Sequence, residues 1–134
     1  MRYNRRCYTT GVLNRHALTN FAHIEIANFS TTAQRVAVTV YNWDLTPPAA
    51  VAGGSFNSVI AANDNLVLSV PIPTGVIHYE VRLNLPVGED VNVVANITGV
   101  TGGALDPNLR ANQEGNTVLF RNLVPINFDN CMCA

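Results

Sequence analysis

Ile77-His78-Tyr79-Glu80-Val81-Arg82-Leu83-Asn84-Leu85 decides the fold, because apolar residues at the odd positions alternate with polar residues at the even ones. A period of two marks a β-strand with one buried face, since successive side chains leave the pleat on opposite sides. The apolar face, Ile77, Tyr79, Val81, Leu83 and Leu85, needs a second sheet to lie against. The polar face, His78, Glu80, Arg82 and Asn84, reads as solvated. Pro86-Val87-Gly88-Glu89-Asp90 turns the chain, and Val91, Val93, Ala95 and Ile97 begin a return strand. The stretch is therefore expected to form a hairpin at the centre of a β-sandwich.

The same alternation recurs on both sides of this stretch. Ala22 to Phe29 sets Ile24 and Ile26 against His23 and Glu25, and Asn28 to Thr32 turns it. Arg35 to Trp43 sets Val36, Val38 and Val40 inward and Arg35, Thr39, Tyr41 and Trp43 outward, and Asp44 to Pro48 ends it. Gly53-Gly54-Ser55 marks a turn, Phe56, Ser58 and Ile60 a short strand, and Leu66, Leu68 and Val70 another. The last strand is expected over Thr117 to Leu123. Short strands at even spacing with no helical period predict an all-β chain with a single β-sandwich, jelly-roll or Ig-like, of seven to eight strands. The expected organisation is a flexible N-terminal arm over residues 1–20, the sandwich over 21–128 and a cysteine-containing tail over 129–134.

At 134 residues the chain suffices for one domain with a real core. Charged residues are only 13% of it and apolar ones 48%, a sparse charge that suggests a surface meeting other protein. The net charge of −1 gives no bias toward nucleic acid or an anionic membrane. The distribution is uneven: Arg2, Arg5, Arg6 and Arg15 precede any acid, so the arm is basic and the body acidic. Every cation is arginine, which suits fixed bidentate contacts and leaves no lysine amine for catalysis. No signal-peptide core and no apolar run long enough for a membrane span appears.

The search for chemistry is mostly negative. No nucleophile elbow, P-loop or zinc-protease helix is present, and His16, His23 and His78 stand alone. Glu80 with Arg82 reads as a same-face charge pair before an acid/base couple. Glu89, Asp90, Asp106 and Glu114 lie in expected loops without the spacing of calcium ligands. Neither a metal, a cofactor nor an enzymatic activity is expected. Tyr41 and Trp43, two apart on one strand face, fit either a packed contact or an aromatic platform for sugar.

Cys7 lies in the arm and Cys131 and Cys133 in the tail, so all three cysteines avoid the body strands. An odd number of terminal thiols makes bonds between chains a candidate, with free thiols or a thiolate metal site as the alternatives. Tyr8 to Leu13, with Tyr8, Thr9, Thr10, Val12 and Leu13, is β-forming but has no partner close in sequence. It reads as the first strand of the domain's own sheet, as disorder, or as an arm that reaches a neighbour.

A short β-sandwich preceded by a cysteine-bearing arm resembles the endospore appendage subunits of spore-forming Gram-positive bacteria. Val40 to Asp44, Tyr79 to Leu85 and Asp106 to Arg110 look like β-domains from the same bacteria. The resemblance implies a jelly-roll subunit of a fibre outside the cell or on the spore surface, polymerising as the arm of one copy docks into the next. Its partners would be copies of itself and an anchoring or tip protein, with no nucleic acid and no membrane insertion. Cys7 matches the arm cysteines of that family, where this chain has one rather than a cluster. A carbohydrate-binding or adhesive module using Tyr41 and Trp43 is the alternative.

Overall fold

The computed structural model describes residues 4–100, 117–127 and 131. Among these residues ten strands run in the order β1 (Arg5–Thr9), β2 (Leu13–Asn14), β3 (Phe21–Asn28), β4 (Gln34–Asn42), β5 (Ala49–Ile60), β6 (Asp64–Pro71), β7 (His78–Pro86), β8 (Val93–Val100), β9 (Thr117–Val118) and β10 (Val124–Ile126). One 3₁₀ turn, Phe120–Asn122, separates the last two. They form two antiparallel sheets. One has the order β10-β1-β7-β4-β5 with β2 also paired to β7, and the other the order β6-β3-β8-β9. The sheets pack face to face as a β-sandwich.

The alternating stretch is the middle of the larger sheet. Tyr79, Val81, Leu83 and Leu85 are at most 1% exposed and lie in one core with Ile24 and Ile26 of β3, Val36, Val38 and Val40 of β4, and Ala95 and Ile97 of β8. The β-branched side chains of β4 fill a pleated surface well, and full burial of each such residue is worth about 1.5 to 3 kcal/mol.

Four details differ from the sequence reading. β7 and β8 do not pair as a hairpin: β7 lies against β1, β2 and β4, and β8 against β3 and β9, so Pro86 to Asn92 crosses between the sheets. β7 and β8 therefore lie in opposite sheets and contribute to the same core between them. Ile77 is not in the strand and is 58% exposed. Its place at the rim is fixed by Asp44, whose carboxylate accepts from the Ile77 and His78 amides at 2.7 and 3.1 Å. Gly53 and Gly54 do not end a strand but lie in a bulge of β5, where Val51 to Gly54 loop out between the Tyr41–Ala50 and Thr39–Ser55 pairs. Gly53 has φ +70°, and a Cβ at Gly54 would meet a Val51 methyl at 2.5 Å, so both positions need glycine. The last segment is split: Thr117–Val118 stay with β8, and Val124–Ile126 cross to the other sheet.

Candidate functional site

The first described residues are built into the sheet. β1 fills a slot between β7 and β10, with Arg5 opposite Pro86, Cys7 opposite Asn84 and Thr9 opposite Arg82 on one side. On the other side Cys7, Tyr8 and Thr9 face Ile126, Pro125 and Val124. Tyr8 points into the core, 9% exposed, with its ring 5.5 Å from that of Phe120. Of the three readings open from sequence, residues 5–9 take the domain's own sheet. Their partners are far along the chain, which is why no local signal revealed them.

Thr10 to Val12 link β1 to β2. The Thr10 amide donates to the Val81 carbonyl, and its hydroxyl accepts from the Val81 amide at 3.0 Å. Gly11 has φ +74° with open space where a Cβ would stand, so backbone conformation alone selects glycine there. Val12 is 49% exposed, and Leu13 returns to the sheet opposite Tyr79.

Cys7 is bonded to Cys131 of the same chain, with Cα atoms 5.9 Å apart and a sequence separation of 124. The bond between chains that was one candidate for this pair is closed here within one chain, because Cys7 and Cys131 both lie beside β7. Cys133 lies outside the described residues, as do Asp106 and Glu114.

The outward face of β7 is not the solvated one that its sequence suggested. Glu80 is 4% exposed and Asn84 1%. β7 is a central strand, and side chains from β1 and β4 close over it. The Glu80 carboxylate accepts from the Thr9 hydroxyl, from Trp43 Nε1 at 2.6 Å and from Arg82 Nε at 2.9 Å. Burial pushes its pKa up, but the hydrogen bonds from Arg82, Thr9 and Trp43 and the Arg82 charge outweigh this and hold it below its ordinary 4.5. The Arg82 guanidinium also sits 4.3 Å over the Tyr41 ring. Asn84 accepts from Arg5 Nε at 2.7 Å, and Arg5 reaches on to the Arg35 carbonyl.

Tyr41 and Trp43 are thus brought together with Glu80, Arg82 and Thr9, which the sequence reading had kept in separate groups. Trp43 remains 37% exposed. The signal that could have shown the network is the place of an acid at the centre of the most strongly patterned strand, where neighbours on both sides bury even the polar face. The arrangement immobilises a carboxylate with three donors, the Thr9 hydroxyl, the Trp43 indole and the Arg82 guanidinium. Elsewhere His78 Nδ1 pairs with Asp44 at 2.9 Å and His23 Nε2 with Glu25 at 2.7 Å. The Asp44 carboxyl is held low chiefly by the Ile77 amide, then by the His78 side chain. Among the described residues no three metal-binding side chains gather.

No protein-family model, curated protein or solved structure matches the chain.

Proposed function

We propose that the chain is a structural subunit of a self-assembling fibre outside the cell, of the spore-surface appendage kind, which polymerises when the N-terminal strand of one copy enters the sheet of the next. The observation that supports this reading is the slot. β1, the first described strand, is inserted between β7 and β10 and is followed by a short link at Gly11. Every group that β1 touches has an equivalent in a second copy, so exchange conserves the pairing and costs chiefly the entropy of association. In an exchanged assembly Cys7 of one subunit meets Cys131 of the next, and the same bond becomes a covalent link. Copies of the chain are the partners, with an anchoring or tip protein at the fibre end, and no nucleic acid, membrane or cofactor enters the reading.

Reduction with a dithiol at high protein concentration, followed by re-oxidation, tests it. Negative-stain images should then show filaments, and heat-denatured samples on a non-reducing gel a ladder that collapses to monomer with reductant. Monodisperse particles and a single monomer band would overturn the reading.

The carbohydrate-binding alternative has thinner support. Arg82 already covers one face of Tyr41, which leaves the half-exposed Trp43 as the main stacking surface. It would gain ground if Trp43→Ala folded and polymerised normally but lost retention on polysaccharide.

A further inference from the structure

Ser69, His23 and Glu25 stand in one line on the outward face of the smaller sheet. His23 and Glu25 are two apart on β3 and so leave the same face, and Ser69 of β6 lies directly opposite His23. The Glu25 carboxylate accepts from His23 Nε2 at 2.7 Å, and His23 Nδ1 faces the Ser69 hydroxyl at 3.5 Å. A carboxylate only accepts, so in the neutral ring the proton sits on Nε2, and Nδ1 is left as the acceptor beside the hydroxyl. The ladder favours this approach. The Ile72 amide donates to the Asn20 carbonyl, so Val70 and Leu68 turn their amides toward β3, and the His23–Ser69 pair falls where opposite side chains come closest. The same alternation turns the Ser69 amide to the outer edge of β6, where no described strand lies. A histidine that stands alone in the sequence thus has an acid at one nitrogen and a hydroxyl at the other.

We propose that this line is an acyl-transfer site for small activated esters, with Ser69 as nucleophile, His23 as general base and Glu25 as the positioning residue. The Ser69 hydroxyl attacks the ester carbonyl carbon while His23 Nδ1 takes its proton. The carbonyl C–O bond to the leaving group then breaks, and the same proton goes to the departing oxygen. Water repeats the sequence on the acyl-serine, with His23 again as base, and returns the free acid and Ser69. The His23 side chain is only 13% exposed and so is held in place, while that of Glu25 is 55% exposed. The surroundings set the substrate class. Val67 and Pro71 flank Ser69 on the same face of β6, and Phe21 lies opposite Pro71, so the hydroxyl has apolar neighbours that suit an aryl ester over a charged one. The Ser69 amide is one donor for the oxyanion, and the sheet face is open to water, so the reaction depends on a leaving group that departs as a stabilised anion.

The test uses the full-length, oxidised protein and p-nitrophenyl acetate. Release of p-nitrophenol should begin with a burst stoichiometric with protein, and peptide mass mapping should find an acetyl group on Ser69. If Ser69 of the wild type stays unlabelled, the proposal falls without any variant. His23→Gln fills the same place without a base and should slow acetylation of Ser69 by about a hundredfold, with the circular dichroism spectrum unchanged. Equal labelling in the two proteins overturns the proposal. His78→Ala removes the imidazole paired with Asp44 on the other sheet and should leave Ser69 labelling as in wild type. If it slows labelling as much as His23→Gln, the chemistry belongs to imidazole at large and the site is refuted. Glu25→Ala should move His23 from the Nε2–H tautomer to a mixture in its nitrogen–proton correlation spectrum, and slow acetylation with it. An unchanged tautomer overturns the positioning role. None of these readouts depends on assembly, so the site stands or falls apart from the fibre reading.

Discussion

The inward face of β7 and the Glu80 and Asn84 positions of its outward face are all buried, but by different means. Tyr79, Val81, Leu83 and Leu85 disappear against the facing sheet, and Glu80 and Asn84 disappear under side chains of their own sheet. The first burial rests on apolar area and close packing, which ask only for shape and volume. The second rests on directed partners, because a buried carboxylate without donors costs several kcal/mol. Inward positions should therefore tolerate a change of hydrophobe better than a change of volume. Outward positions should tolerate neither a lost charge nor a lost donor.

The largest expected effect is on the inward face. Leu83→Ala removes a fully buried side chain from the centre of the core, and should lower stability by about 3 to 4 kcal/mol. In urea titration the midpoint should fall with an unchanged slope. A loss under about 1 kcal/mol would show that the core closes around the gap and would erase the contrast between the faces.

Next comes the disulfide, which lies on the outward side where Cys7 faces Asn84. Cys7→Ser/Cys131→Ser opens a loop of 124 residues and should cost about 2 to 4 kcal/mol. The comparison is made against the oxidised parent by thermal melting. Equal melting points would mean that the bond does not form in the native chain.

Glu80→Gln, on the outward face, keeps the shape and removes the charge, with an expected loss of about 1 to 3 kcal/mol. The pH dependence has a definite sign. The folded carboxyl titrates below its ordinary 4.5, so its contribution is fully present above that value and is lost as pH falls through the lower, folded value. Wild type should therefore lose stability faster than the variant on acidification below about pH 4.5. Parallel stability curves for the two proteins would mean that Glu80 draws nothing from its donors.

The two faces also differ in how far they could be read from the chain. Alternation announces an apolar face directly, so Tyr79, Val81, Leu83 and Leu85, together with Val36, Val38 and Val40, were legible as core. Whether a polar face is wet depends on how many strands flank it, and that is a property of topology. β1 and β4 approach β7 from 73 to 81 and from 37 to 47 positions away in the chain, distances over which periodicity carries no information. Local turn signals misled for the same reason. Pro86 to Asp90 has the composition of a hairpin turn, but the chain uses it to change sheets, which sets β7 and β8 on opposite sides of one core. A bond between Cys7 and Cys131 of one chain could not be chosen from the sequence, because it depends on both residues lying beside β7.

The smallest expected effect separates the faces most cleanly. Tyr79 is an inward residue with an outward residue's problem: it is fully buried, and its hydroxyl is without a hydrogen-bond partner among the described residues. Burial raises its pKa, against a smaller lowering by the Arg15 charge, so the group is a neutral phenol at neutral pH. A neutral hydroxyl stranded in an apolar core costs about 1 to 3 kcal/mol of desolvation, of which relaxation of its surroundings recovers part. Tyr79→Phe removes that oxygen, keeps the ring and leaves at most a small void, which costs something under about 1 kcal/mol. The desolvation relieved exceeds the packing lost, and the variant should be as stable as wild type or up to about 1 kcal/mol more so. Equilibrium unfolding in urea reads the difference. A loss of 1 kcal/mol or more would show that the hydroxyl has a partner after all, such as a buried water, and that the inward face of β7 is held in part by the same directed contacts as the outward one.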